Sequence, residues 1–129
     1  MRNLILKGNL EGKECTPDVM FYFEKGECFI TGECYPTDTE LEQMFEDMTT
    51  WLKNYFDIKN QLTFHINLHY FNSLSEKKLA ELISYLDIAS LKGKCIDLKW
   101  SIHKDDTSFK EDIEDILRNV NLNFDLLEV

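Results

Sequence analysis

Apolar and polar residues follow two regular patterns along this chain. They alternate one by one over residues 62–70 and again over 96–102, which is the period of a strand with one buried face. Over residues 41–56, 79–89 and 105–120, the apolar side chains instead recur at the spacing of an amphipathic helix. These patterns predict that strands and helices alternate through the second two-thirds of the chain.

The N-terminal third has the composition of antiparallel strands. Residues 4–7 predict a short first strand, and residues 19–23 and 28–34 flank a Glu24-Lys25-Gly26-Glu27 turn, as in a β-hairpin. Residues 124–129 predict a last strand. We therefore expect one domain over residues 1–129, of the two-layer α/β (α+β) class. Its mixed β-sheet begins with the antiparallel hairpin, and its later strands run parallel through right-handed crossovers.

The polar positions of the alternating strands predict where the helices pack. A sheet covered by helices on both faces has strands that are apolar on both sides. One side of these strands is instead polar and carries Thr63, His65, Asn67, His69, Asp97, Lys99 and Ser101. We expect about three helices on one face, and a second face open to solvent or to a partner.

The charge of the chain restricts the class of partner. Its 129 residues include 24 acidic and 14 basic side chains, a formal net charge of −10. Nucleic acid and anionic membranes both require clustered Lys and Arg, so neither is expected as a partner. Proteins and small molecules are the expected partners.

The cysteines indicate a reducing compartment. Cys15, Cys28, Cys34 and Cys95 include no CxxC pair, and no signal-like apolar segment opens the chain. We expect reduced thiols and a cytoplasmic location. Structural zinc sites use closely spaced ligand pairs, so we expect no metal site and no cofactor.

The histidines and the acidic segment give only weak evidence for a metal site or an active site. His65 and His69 lie about 13 Å apart if residues 62–70 are a strand, which is too far to share one metal ion. His103 has no partner in the sequence, and the acidic residues of 105–115 are explained by the helix dipole and a solvated face. No nucleophile–base motif or phosphate-binding glycine loop is present. Catalysis is therefore disfavoured.

A polar turn between a predicted strand and a predicted helix is the most informative segment. Here Ser73 is expected to be the N-cap and Glu76 the matching residue of a capping box, or Ser75 caps one register later. Thr37 and Glu40 predict a second capping box. A phosphoryl group on Ser73 would add a charge of about −1.5 to −2 at the positive end of the helix dipole. The turn is therefore a candidate phosphorylation switch.

Two alternatives use the polar sheet face instead. In the first, the chain is a constitutive protein-interaction module whose serine is only a helix cap, and His65, Asn67 and His69 form the docking surface. In the second, the chain is a small enzyme or ligand-binding protein, which predicts a concave pocket on the histidine-bearing face.

Several short motifs, in this order, resemble the SiaC family of bacterial regulatory phosphoproteins. They are Thr16-Pro17-Asp18-Val19, Gly32-Glu33-Cys34-Tyr35-Pro36, Trp51-Leu52, Leu68-His69-Tyr70-Phe71-Asn72-Ser73-Leu74-Ser75, Lys99-Trp100 and Phe124-Asp125-Leu126. The resemblance implies a fold similar to the anti-sigma-factor antagonists and a protein that is not an enzyme. It also implies three protein partners: a dedicated Ser/Thr kinase, a PP2C-type phosphatase and a target such as a diguanylate cyclase.

The resemblance also implies which residues form the site. The family pattern Tyr-x-Asn-Thr-Ser-Ser places the phosphoacceptor on Ser73, with Ser75 as second choice. The expected partner-binding residues are Tyr35, Pro36, Tyr70, Asn72, Leu74 and Ser75. This chain departs from the pattern where Ser73 replaces a threonine and Leu74 replaces a serine.

Overall fold

The computed structural model of the protein describes residues 1–9 and 15–129. The described elements run in the order β1 (Leu4–Leu6), β2 (Asp18–Tyr22), β3 (Glu27–Cys34), α1 (Asp38–Phe56), β4 (Gln61–Phe71), α2 (Ser73–Leu91), β5 (Cys95–Ile102), α3 (Lys110–Leu117) and β6 (Asn123–Glu128). None of the helices in these residues is both long enough and apolar enough to cross a membrane.

The strands form one mixed sheet whose order follows the chain, from β1 to β6. The first three strands pair antiparallel, and β3 to β6 pair parallel. Each parallel pair is joined through a helix, which is the connection that parallel strands require. The predicted mixed sheet with an N-terminal hairpin is confirmed.

The helices pack on one face of the sheet, as the alternating polarity predicted. Along β4, residues Leu62, Phe64, Ile66 and Leu68 are buried, whereas the side chains between them are half-buried and His69 is exposed. The helices contact their neighbours in the order α1, α2, α3. Crossovers of one hand that progress in one direction along a sheet place their helices on the same side.

The core lies between this face and the helices and is rich in aromatic rings. Phe21 of β2 packs edge-on against Trp51 of α1 and Phe64 of β4, with centroids 5.2 and 5.4 Å apart. The hairpin turn approaches the same layer at Gly26, whose φ of 64° is left-handed. A Cβ at Gly26 would lie 2.8 Å from the Tyr55 hydroxyl, so this turn requires glycine.

The third helix is shorter than predicted. Its pattern predicted helix over 105–120, but α3 covers only Lys110–Leu117. Asp106 instead accepts a hydrogen bond from the Ser108 backbone N–H at 3.1 Å, and the backbone of Asp106 bridges that of His103. Aspartate side chains compete with the helix for backbone donors, which explains why the segment before α3 forms a turn.

Candidate functional site

Asn72 caps helix α2, and the prediction that Ser73 or Ser75 is the cap is wrong. The Asn72 backbone is extended, and its side-chain Oδ1 accepts a hydrogen bond from the Ser75 backbone N–H at 2.9 Å. Ser73 is therefore the first helical residue. The Thr37 cap of α1 is as predicted, since its hydroxyl accepts from the Glu40 N–H at 3.2 Å.

The two candidate acceptor hydroxyls differ completely in exposure. Ser73 is exposed on the outer side of the first turn, whereas Ser75 is fully buried. The Ser75 hydroxyl has no well-formed hydrogen bond within residues 1–9 and 15–129. It lies near the Cys34 thiol, whose pKa is raised to about 11 by burial, with the Ser75 hydroxyl acting in the opposite direction. Of these two hydroxyls, Ser73 is accessible to a modifying enzyme in this conformation and Ser75 is not.

The turn is held against the end of the neighbouring strand. The Asn72 backbone N–H donates to the Cys34 carbonyl at 3.2 Å, so the start of α2 is tied to the end of β3. The β3–β4 register shifts between Gly32 and Glu33, and Glu33 then pairs with Tyr70. Such an irregularity re-aims the side chains that follow it.

Aromatic side chains surround the hydrogen bond between Asn72 and Cys34 and connect β3, β4 and the segment before α3. The Tyr35 ring packs edge-on against Tyr70 at 5.2 Å, and Tyr70 packs edge-on against Phe109 at 5.4 Å. The Tyr35 hydroxyl lies 2.9 Å from the Cys15 sulfur and donates to Glu33 at 3.3 Å. The Cys15 contact, burial and the Glu33 carboxylate together raise the pKa of Tyr35 to about 12. Tyr35 is therefore a fixed, neutral donor at this edge.

Of the six predicted partner-binding residues, the structure exposes some and buries others. Tyr70 and Leu74 are 42% and 50% exposed. Tyr35 and Asn72 are half-buried, and Pro36 and Ser75 are buried. Pro36 and Ser75 can therefore influence a partner surface only by positioning their neighbours.

Negative charge accumulates on the other side of the turn. Burial raises the pKa of the Glu76 carboxyl, and the Asp112 and Asp115 carboxylates of α3 raise it further. Lys78 does not offset this charge, because its ammonium group pairs with Glu42 at 2.8 Å and with Glu81 at 3.4 Å.

A groove of about 580 Å³ lies at the carboxyl ends of β3, β4 and β5, at one edge of the histidine-bearing face. A pocket on this face was expected only for the ligand-binding alternative, and the sequence did not predict that His103 lines it. His103 lies in it: its ring stacks on His69 at 4.0 Å, and its Nε2 lies 2.8 Å from Asn67 Oδ1. Strands β4 and β5 pair with Ile66 opposite Trp100, and three residues further along this register places His69 opposite His103. The sequence alone did not show that β4 and β5 are neighbours.

Elsewhere on the polar face, side chains contact one another. The His65 ring stacks flat on Phe29 at 4.4 Å. Burial lowers the pKa of His65, and Lys99 acts in the same direction, whereas Glu27 opposes them. The groove at the carboxyl edge of this face lies where a ligand-binding protein was expected to have a concave pocket. No group of three or more His, Cys, Asp or Glu side chains in the described part of the chain is arranged to hold a metal ion.

The fold and the turn together define a class of protein: a small α/β domain with one open sheet face and an exposed hydroxyl at a strand–helix junction. Within this class, the chain belongs to the SiaC family of regulatory phosphoproteins, whose model matches residues 10–129. A curated relative, an uncharacterized protein of Pseudomonas aeruginosa strain UCBPP-PA14, is 23% identical over 93 residues, which cover 71% of this chain and 72% of that protein.

Solved structures show the same fold. SiaC of Pseudomonas aeruginosa superposes with a TM-score of 0.87 over 100% of both chains at 19% identity. A crystal structure of the diguanylate cyclase SiaD in complex with its activator SiaC, also from Pseudomonas aeruginosa, contains a chain that matches with a TM-score of 0.83. That match covers 96% of this chain and 100% of the other, at 18% identity.

Proposed function

We propose that this chain is a non-catalytic signalling protein that changes partners according to the phosphorylation of Ser73. The observation that carries the proposal is the position of Ser73 as an exposed first residue of a 19-residue helix. The backbone N–H groups at a helix start are unpaired and favour an anion. A phosphoryl group on Ser73 would therefore be stabilised in place without unfolding the turn.

The change of partner would be electrostatic. Phosphorylation adds a charge of about −1.5 to −2, next to a surface that already includes Glu76, Asp112 and Asp115. Tyr70 and Leu74, exposed on either side of the modified residue, would supply the apolar part of a docking surface. The phosphoryl group would attract water and would repel acidic groups at the place where an apolar contact with a partner had formed. The unmodified and modified forms would therefore bind different partners.

The proposed partners come from the family. A dedicated Ser/Thr kinase would modify Ser73, and a PP2C-type phosphatase would restore it. The target of the unmodified form would be a protein such as a diguanylate cyclase, by analogy with the SiaD complex of the Pseudomonas aeruginosa relative. The net charge of −10 agrees with protein partners and disfavours nucleic acid and anionic membranes. With these partners, the protein would act in the cytoplasm.

The site assignment is tested by phosphorylation with the cognate kinase and ATP, read by intact mass and peptide mapping. We expect one phosphoryl group, on Ser73, and none on the Ser73→Ala variant. Ser75→Ala is the matched control, because Ser75 is two residues away but fully buried. Its phosphorylation should equal that of the wild type. A phosphate mapped to any other residue by a verified kinase contradicts the assignment.

The switch itself is tested by binding. The Ser73→Ala and Ser73→Asp variants should bind the downstream target with different affinities in calorimetry, since only the second carries a negative charge at the helix start. Equal affinities would leave the phosphorylation site intact but remove its proposed consequence.

A further inference from the structure

The groove at the carboxyl edge of the sheet is adjacent to the phosphoacceptor turn. It has a volume of about 580 Å³ and is lined by residues that follow or end β3, β4 and β5. Tyr70 lines this groove and lies two residues before the Asn72 cap. The carboxyl ends of parallel strands meet at one edge of the sheet, so residues from β3, β4 and β5 converge on this groove. The groove therefore brings together side chains that are distant along the chain.

Four aromatic rings form the walls. Tyr35 and Tyr70 pack edge-to-face, with an interplanar angle of 86°, so the two rings present surfaces of different orientation. His69 and His103 stack with their planes 28° apart. The hydrogen bond between His103 Nε2 and Asn67 Oδ1 holds this stack against β4. The walls thus carry planar rings that are held by contacts with one another and with Asn67.

Three carboxylates also line the groove: Glu33, Asp105 and Asp106. Glu33 accepts one hydrogen bond from the Tyr35 hydroxyl, and Asp106 accepts from the Ser108 backbone N–H. Within residues 1–9 and 15–129, no lysine or arginine forms an ion pair with any of the three. A carboxylate accepts about four hydrogen bonds, so Glu33 and Asp105 both retain free acceptor positions.

We propose that this groove binds the guanidinium group of an arginine side chain from a protein partner. Guanidinium is planar, stacks on aromatic rings and donates two parallel hydrogen bonds to a carboxylate, and this groove combines rings with carboxylates. The chain's net charge of −10 attracts a basic partner segment from a distance. An ammonium group lacks the planar fork, so arginine is favoured over lysine.

The proposal rests on the proposed function for one point, that the arginine belongs to a protein partner. It does not depend on phosphorylation. The groove is complete in the unmodified chain, so arginine recognition can be measured on the isolated protein, and its outcome is separate from that of the Ser73 experiments.

The probe is Nα-acetylarginine amide, titrated into the 129-residue chain while the imidazole signals of His69 and His103 are followed by NMR. We expect saturable shifts of both rings, with a dissociation constant on the order of millimolar for so small a ligand. The neutral isostere Nα-acetylcitrulline amide should produce no saturable shift. Nα-acetyllysine amide, whose ε-ammonium group is free, should bind at least several-fold more weakly than the arginine probe. The Ser73→Ala variant should bind arginine as the wild type does.

Two variants test the carboxylates independently. Glu33→Gln removes one carboxylate but also changes the Tyr35 contact, so the double variant Asp105→Asn and Asp106→Asn provides a second test. Each should weaken arginine binding at least several-fold. Asp97→Asn, an exposed carboxylate elsewhere on β5, is the control and should have no effect. Equal shifts with citrulline, no saturation with arginine, or unchanged binding in both carboxylate variants would overturn the proposal.

Discussion

Truncating Asn72 to alanine should destabilise the domain, whereas truncating Ser73 should not. In the structure, Asn72 Oδ1 accepts the Ser75 backbone N–H at 2.9 Å, which satisfies one of the unpaired donors at the start of α2. Loss of a side-chain cap costs about 0.5–2 kcal/mol. The backbone hydrogen bond from Asn72 to Cys34 is kept in the variant, so the tie to β3 persists.

The burial of Ser75 places the cost of this substitution in the upper half of that range. Ser75 is fully buried, so water has poor access to its backbone N–H once the carboxamide is gone. A buried donor left without a partner costs about 1–3 kcal/mol. We therefore expect Asn72→Ala to lower the free energy of unfolding by about 1.5–2 kcal/mol.

Truncating Ser73 should have a much smaller effect on the free energy of unfolding, because Ser73 is exposed and does not cap the helix. Ser73→Ala should change the free energy of unfolding by less than about 0.5 kcal/mol. Ser84→Ala, at an exposed position inside the same helix, controls for the change in helix propensity. Ser73→Asp should stabilise by about 0.3–1 kcal/mol, since a negative charge is favourable in the first turn.

The assay is urea denaturation of these four variants and of Asn72→Asp beside the wild type, with thermal unfolding as a second measurement. For a chain of this length, a loss of 1.5–2 kcal/mol lowers Tm by roughly 5–7 °C. Asn72→Asp keeps the acceptor oxygen and should unfold with at least wild-type stability. If Ser73→Ala instead lost 1 kcal/mol or more while Asn72→Ala lost nothing, the cap would be Ser73 and the geometry described above would be wrong.

Three further predictions address the core, a turn and a histidine. Leu98→Ala should cost about 2–5 kcal/mol in urea denaturation because Leu98 is fully buried. Gly26→Ala should cost about 1–3 kcal/mol through its left-handed φ and the nearby Tyr55 hydroxyl, and the cost should be smaller in a Tyr55→Phe background. Burial lowers the pKa of His65, so stability should fall as the pH drops below the unfolded value of about 6.5. His65→Gln should flatten that slope, and an unchanged slope would contradict the assignment.

Much of the fold was predictable because its signals are local. Strand and helix periods can be recognised within about ten residues, so β4, β5, α1 and α2 were predicted close to their observed bounds. The alternation of β4 also predicted one buried and one open sheet face, since a side chain's face is set by its position along the strand. The boundaries of a helix are harder to predict from its period: turn-forming residues at 105–108 precede α3 and delay its start to Lys110.

The residue that caps α2 could not be predicted as reliably as these elements. Asn72, Ser73 and Ser75 are all good capping residues, and they lie within four positions of one another. Their differences in local propensity are small. The end of β3 decided among them, because the Cys34 carbonyl holds the Asn72 backbone in place.

The sequence by itself therefore determined the elements, the one-sided sheet and the segment that carries the candidate hydroxyl, because each follows from short-range periodicity. Only the tertiary structure decided that Ser73 is exposed while Ser75 is buried, and that Glu33, His69 and His103 line one groove. Those residues are distant along the chain. They meet because parallel pairing brings the carboxyl ends of neighbouring strands to one edge, and strand order is a property of the whole fold.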